Sequence, residues 1–258
     1  MKKLICFDMD GTLYLGNQLF PGVKELLKYL KEHKINYVFI TNNSSKNINT
    51  YISKMKSLGI DCVKEDFYTS VDVTTKYLLQ EKAKKIYAVG TRDFNKEMAK
   101  DFILVDQKTD NPEYVVLAFD RELNYTKLEK AVWFIENGAK FIATNPDLRC
   151  PEEGGRYVPD CGSMAKLITD TTGVLPKFLG KPAPDMILDL IEKFGIEKNE
   201  ALVVGDRLYT DIASGYNAGV DTLAVLSGEC TTEDIDSSVI KPTYVRRDVT
   251  QIYELLGE

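Results

Sequence analysis

The chain has little histidine. Its 258 residues contain one, His33. That count excludes chemistry needing a histidine nucleophile plus further histidines, and it excludes a histidine-rich dinuclear metal centre. His33 follows a helical pattern, Val23 to Glu32, and reads as a solvent-side residue at a helix end. Cysteine is scattered and odd in number: Cys6, Cys62, Cys150, Cys161 and Cys230, with no CxxC pair. This usage argues against a disulfide framework or a zinc site and for reduced thiols in a cytoplasmic protein. A basic excess is also missing. Lys and Arg total 33 against 39 Asp and Glu, for a net charge of -6, which argues against a nucleic-acid partner. No run approaches the roughly 18 apolar residues of a membrane span. Met1-Lys2-Lys3 resembles the start of a signal peptide, but the apolar run that follows is short and Asp8 interrupts it.

What the chain does have is an apolar run that ends in two acids, Leu4-Ile5-Cys6-Phe7-Asp8-Met9-Asp10-Gly11-Thr12. Leu4 to Phe7 reads as a strand buried on both faces, as in a parallel sheet. Residues two apart on an extended chain point the same way, so the Asp8 and Asp10 carboxylates repel unless something compensates. A hard divalent cation such as Mg²⁺, which takes oxygen ligands, would compensate. Gly11 permits a sharp turn and a close backbone approach. Alone, Asp-x-Asp-Gly also reads as a solvated turn. Three more segments repeat the theme: Tyr37 to Ser44, Phe178-Leu179-Gly180-Lys181-Pro182, and Ala201 to Asp211. Each is an apolar run that delivers polar or charged groups at its C-terminal end, where open α/β sheets bind ligands.

These four segments, in this order, resemble the haloacid dehalogenase (HAD) superfamily. Asp8-Met9-Asp10-Gly11-Thr12 matches its first motif, Thr41-Asn42-Asn43 the second, Lys181 the third, and Gly205-Asp206 with Asp211 the fourth. Thr41-Asn42-Asn43-Ser44, Ala143-Thr144-Asn145-Pro146-Asp147, Gly180-Lys181-Pro182 and the run Gly205 to Asp211 are similar to the NagD-like phosphatases, subfamily IIA. The resemblance implies a Rossmann-like α/β core with a parallel sheet and an inserted α/β cap of the C2 type.

Strand patterns near 4–8, 36–41, 85–90, 114–118, 140–144, 201–205 and 222–226 alternate with helical ones, as in an α/β protein. Thr126-x-x-Glu129 predicts a capping box, with Gly138 ending that helix. Pro184 suits a helix start, with Gly195 as its close. The interval from Thr12 to Thr41 holds one helix and one strand, so the long insertion of HAD members capped after the first motif is lacking. The interval from Asn42 to Lys181 is several times longer. By resemblance the cap lies there, at 81–176, with the core at 1–80 and 177–258. One continuous large sheet is the alternative.

The resemblance implies a phosphatase with Mg²⁺ as cofactor. Haloacid dehalogenases lack the second acid of the first motif, so Asp10 favours phosphate chemistry. Asp8 is then the nucleophile and Asp10 the acid and base. Mg²⁺ is held by the Asp8 carboxylate, the Asp10 carbonyl and Asp206, with Asp211 supporting it. Thr41, Asn42, Asn43 and Lys181 bind the phosphoryl group. Ser44 and Ser45 read as helix caps. Asn145, Asp147, Arg149 and Cys150, in a cap loop, select the substrate, and Glu152 to Gly155 reads as a flexible turn. The partner is a small phosphorylated metabolite, a nucleoside monophosphate or sugar phosphate among others. No nucleic acid or membrane is expected, and a homo-oligomer stays open. Phosphotransfer to an acceptor other than water, or a non-catalytic phosphometabolite-binding protein, are the alternatives.

Overall fold

The apolar runs become the strands of two sheets. The computed structural model describes residues 1–152 and 155–256, and these divide into two compact units. The first gathers Met1–Thr41, Ile48–Tyr68 and Lys181–Glu258; the second gathers Asn42–Asn47 and Thr69–Gly180.

The first unit is built on a sheet with the strand order Tyr244–Arg246, Asp221–Val225, Ala201–Gly205, Leu4–Phe7, Asn36–Thr41 and Phe67–Thr69. The four pairings from Tyr244–Arg246 across to Asn36–Thr41 are parallel. Leu4–Phe7 is buried throughout, as a central strand covered on both faces must be. Phe7 lies opposite both Val204 and Phe39. The strands ending in Phe7, Thr41 and Gly205 therefore release their chains side by side at the carboxyl end of the sheet.

The helix Val23–Glu32 buries Val23, Leu26, Leu27 and Leu30 against this sheet's core, the stripe expected from its spacing. His33 follows it as the C-cap, exposed and stacked on Tyr29 at 3.8 Å. A helix Asp185–Phe194 begins after Pro184 and closes on Gly195 at φ +61°, the left-handed cap that glycine adopts without strain.

The second unit holds a parallel sheet ordered Lys177–Phe178, Lys140–Ala143, Tyr114–Leu117, Lys85–Val89, Ile103–Leu104. Its core joins Val89, Leu117 and Phe141 to Phe134 and Ile135 of the helix Tyr125–Glu136 and Ile168 of Cys161–Thr172. The expected capping box at Thr126 is not formed. Asn124 is the N-cap, and its side chain accepts from the Lys127 N–H at 3.1 Å. The Asn124 amide oxygen, two residues earlier, satisfies one of the orphan N–H groups of the first turn instead. No helix among the described residues is long and apolar enough to cross a membrane.

Candidate active site

Asp8 leaves the sheet beside its neighbour strand, its N–H bonded to the Val204 carbonyl at 2.8 Å. The chain then turns tightly, with the N–H groups of Leu13 and Gly11 bonded to the carbonyls of Met9 and Tyr14 at 2.9 and 2.8 Å. Gly11 makes this turn at φ +87°. From the adjacent strand, Ala201–Gly205, come Asp206 and a wide turn, Leu208–Ile212, that carries Asp211. The Arg207 N–H donates to one Asp211 oxygen at 3.1 Å and fixes the carboxylate. Wider-than-α turns of this kind recur at functional sites.

Asp8, Asp206 and Asp211 each offer a carboxylate oxygen within 4.8 Å of the others. Lys181, 3% exposed, ties the group together: its ammonium donates to Asp8 at 2.7 Å and to Asp211 at 2.6 Å. Asp206 accepts from the Glu229 N–H at 2.8 Å and lies 3.4 Å from the Thr12 hydroxyl. Lys181 and the Arg207 guanidinium, which feels Asp8 and Asp211, do not balance three carboxylates. Burial, then Asp211, push Asp8 up to about 8 even though Lys181 pulls it down. Burial and Asp211 likewise push Asp206 up to about 6. Burial opposes the charge of Lys181, but Asp211 and Asp8 more than offset this and raise it. An oxygen-only donor set with surplus negative charge is the environment a hard divalent cation fits.

Asp10 does not join that cluster. It is exposed at the surface of the turn, and its carboxylate pairs with Lys54 at 3.6 Å. Thr41 is buried at the end of its strand. Asn42 and Asn43 open the segment that belongs to the second unit. There the Asn42 amide donates to Asp147 at 2.7 Å, and the Asn43 side-chain oxygen accepts from the Ser45 N–H and hydroxyl at 3.0 and 2.8 Å. Ser44 and Ser45 are not helix caps, because the next helix starts at Ile48. Ser44 instead bonds Thr144 and accepts from the Phe119 N–H, both at 2.9 Å.

Asn145 is buried and donates to Asp147 at 2.7 Å and Asp160 at 3.2 Å. Arg149 and Cys150 were expected in a loop. They lie on a strand, Arg149–Glu152, paired antiparallel with Arg156–Pro159. Arg149 is exposed, with its guanidinium 4.3 Å from the Tyr157 ring centroid; Cys150 is half-buried. The flexible turn expected at Glu152 to Gly155 falls partly on residues 153 and 154, outside the described residues.

Sequence reasoning assigned no role to Lys54, to Thr12 or to Ser227-Gly228-Glu229. The last group follows the strand Asp221–Val225, so the strand-end logic used for Asp8 and Asp206 would have found it. Ser227 donates to the Gly11 carbonyl at 2.8 Å, which ties this loop to the first turn.

Comparison with known proteins accords with this arrangement. The family model for haloacid dehalogenase-like hydrolases matches residues 5–101, and a HAD-hydrolase-like model matches residues 178–252. An acid sugar phosphatase of Staphylococcus aureus is 34% identical over 250 residues, covering 96% of each chain. The crystal structure of a 4-nitrophenylphosphatase from Thermotoga maritima superposes with a TM-score of 0.92 at 37% identity, over 98% of this chain and 97% of that one. NagD from E. coli K-12 gives 0.89 at 34% identity, over 97% and 98%. The chain belongs to the haloacid dehalogenase-like hydrolases and, within them, to the NagD-like branch, subfamily IIA, with an α/β core and an inserted α/β cap.

Proposed function

We propose that the chain is a Mg²⁺-dependent phosphatase of the cytoplasm. It hydrolyses a small phosphomonoester, such as a sugar phosphate or nucleoside monophosphate, through an aspartyl-phosphate on Asp8. The observation that carries this reading is the bridge of Lys181 to Asp8 and Asp211, which holds a carboxylate nucleophile beside a second carboxylate, with a third, Asp206, within 4.8 Å. The relatives named as sugar and nitrophenyl phosphatases support the reaction class.

Asp8, Asp206 and Asp211, with the Asp10 carbonyl, would hold the cation. Bound there it offsets the charge of the phosphoryl oxygens, so that an anionic nucleophile can meet an anionic ester. An Asp8 oxygen attacks phosphorus; the new O–P bond forms as the ester P–O bond breaks, and Asp10 passes its proton to the leaving oxygen. In the second step Asp10 takes a proton from water as the water oxygen attacks phosphorus. The Asp8–phosphorus bond breaks, and phosphate is freed. Splitting one displacement into two is the gain of covalent catalysis, and a placed acid–base group contributes about 10²–10⁴-fold.

Thr41, Asn42, Asn43 and Lys181 take the phosphoryl oxygens. Substrate choice is assigned to the second unit through Asn145, Asp147, Arg149 and Cys150. Of these, Asn145 and Asp147 are engaged with each other, and Arg149 has the exposed guanidinium suited to an anionic or planar group.

The test is phosphate release across a panel of phosphorylated metabolites, with Mg²⁺ and with excess EDTA, for the wild type and Asp8→Asn. Turnover of a subset of esters is expected, lost with EDTA and in Asp8→Asn. Wild-type rates in EDTA with no metal bound, or undiminished turnover by Asp8→Asn, would sink the reading.

A further inference from the structure

We infer that Lys54 is a positioning residue for proton transfer: it holds the Asp10 carboxylate in the orientation from which Asp10 serves the leaving oxygen. The inference rests on the phosphatase reading above and adds to it the group that orients its acid.

Lys54 stands in the last turn of the helix Ile48–Ser57, whose Tyr51 and Met55 are buried in the core of the first unit. A lysine at such a helix end ordinarily reaches into water. Lys54 does not. Its side chain is 26% exposed, and its ammonium sits 3.9 Å from the centroid of the Tyr14 ring, within cation–π range. Tyr14 is itself buried, and its main chain belongs to the turn that carries Asp10: its carbonyl accepts from the Gly11 N–H at 2.8 Å. The aromatic ring thus places the ammonium relative to the same turn that presents the carboxylate.

The resulting contact, 3.6 Å from Nζ to Oδ2 of Asp10, is longer than a tight charge-assisted hydrogen bond of about 2.7–2.9 Å. The two lysines differ accordingly. Lys181 grips Asp8 and Asp211 at 2.7 and 2.6 Å and fixes the nucleophile. Lys54 orients a half-exposed carboxylate and leaves its oxygens accessible to a leaving group and to water. An acid must come within about 2.6–3.2 Å of the atom it serves, and a displacement of about 1 Å costs on the order of 10²-fold. An unguided carboxylate on an exposed turn samples several rotamers and spends little time in the useful one.

The experiment compares kcat/KM for two esters in Lys54→Gln, Lys54→Met and Lys54→Arg. One ester is glucose 6-phosphate, an alkyl ester whose leaving oxygen needs a proton. The other is 4-nitrophenyl phosphate, whose leaving anion is stable without one. We expect Lys54→Gln and Lys54→Met to lower kcat/KM for the alkyl ester by about 10-fold or more, with the nitrophenyl ester changed by less than about 2-fold. Lys54→Arg should restore the alkyl ester. In an Asp10→Asn background, Lys54→Gln should add no further loss, because the two residues act as a unit. Equal losses for both esters would overturn the inference, since they would mark a general structural or phosphate-binding role. No loss for the alkyl ester would overturn it as well. A wild type that hydrolyses neither of these nor any other ester of the metabolite panel would point instead to failure of the phosphatase reading, before any Lys54 variant is compared.

Discussion

Asp206 owes its setting to two residues that lack side chains. A Cβ on Gly11 or on Gly228 would run into the Asp206 carboxylate, and Gly11 also sits at φ +87°, where an L side chain costs about 1–2 kcal/mol. Gly11→Ala should therefore lower stability by at least about 1 kcal/mol and displace Asp206, weakening Mg²⁺ binding. Urea unfolding and calorimetric titration with Mg²⁺ check both parts, and wild-type values in both would show that the turn tolerates a Cβ. Gly11 was legible in the sequence because it follows two acids at a strand end. Gly228 was reachable only as a residue after a strand end; its closeness to Asp206 was not legible, because that depends on where the loop after Val225 folds back. Lys54 was illegible for the same reason: nothing in a helical lysine announces the tyrosine ring it lies on. Asp8, Asp206, Asp211 and Lys181 were legible as candidates through their motifs, and the structure brings these four together.

Elements differed in legibility according to how they are buried. The strands Leu4–Phe7, Tyr114–Leu117 and Ala201–Gly205 are buried throughout and read directly as apolar runs. The strands that escaped are short or lie at edges. Lys177–Phe178 and Ile103–Leu104 have two residues each and close the ends of their sheet. Arg149–Glu152 and Arg156–Pro159 carry charges and prolines, the composition that sheet edges tolerate and that hides them from a hydrophobic pattern. The helix Tyr125–Glu136 was placed correctly, but with its cap misassigned to Thr126. Asn124→Ala should cost about 1 kcal/mol, within a range of about 0.5–2. Thr126→Ala should stay within about 0.5 kcal/mol. Urea midpoints of the two variants decide between the caps; the reverse order would restore Thr126.

At the scale of the molecule, the alternation of strands and helices announced an α/β protein, and the resemblance to the haloacid dehalogenases implied an insertion between Asn42 and Lys181. The grouping of Asn42–Asn47 with Thr69–Gly180 was not readable, because it depends on contacts such as Ser44 with Thr144 and Asn42 with Asp147, each between residues far apart in the chain. The chain thus passes from one unit to the other between Thr41 and Asn42. The account of the whole chain as a phosphatase turns on one covalent species, a phosphoryl group on Asp8. Asp10→Asn should let that species form with an activated leaving group while slowing its hydrolysis, since the general base of the second step is gone. The most direct measurement is intact-mass and peptide-mapping mass spectrometry of Asp10→Asn, acid-quenched after mixing with 4-nitrophenyl phosphate and Mg²⁺. The account predicts a single added phosphoryl group mapped to Asp8, and none when Asp8→Asn is combined with Asp10→Asn. Nitrophenolate released from a chain that stays unmodified, or a phosphoryl group mapped to any other residue, would contradict it.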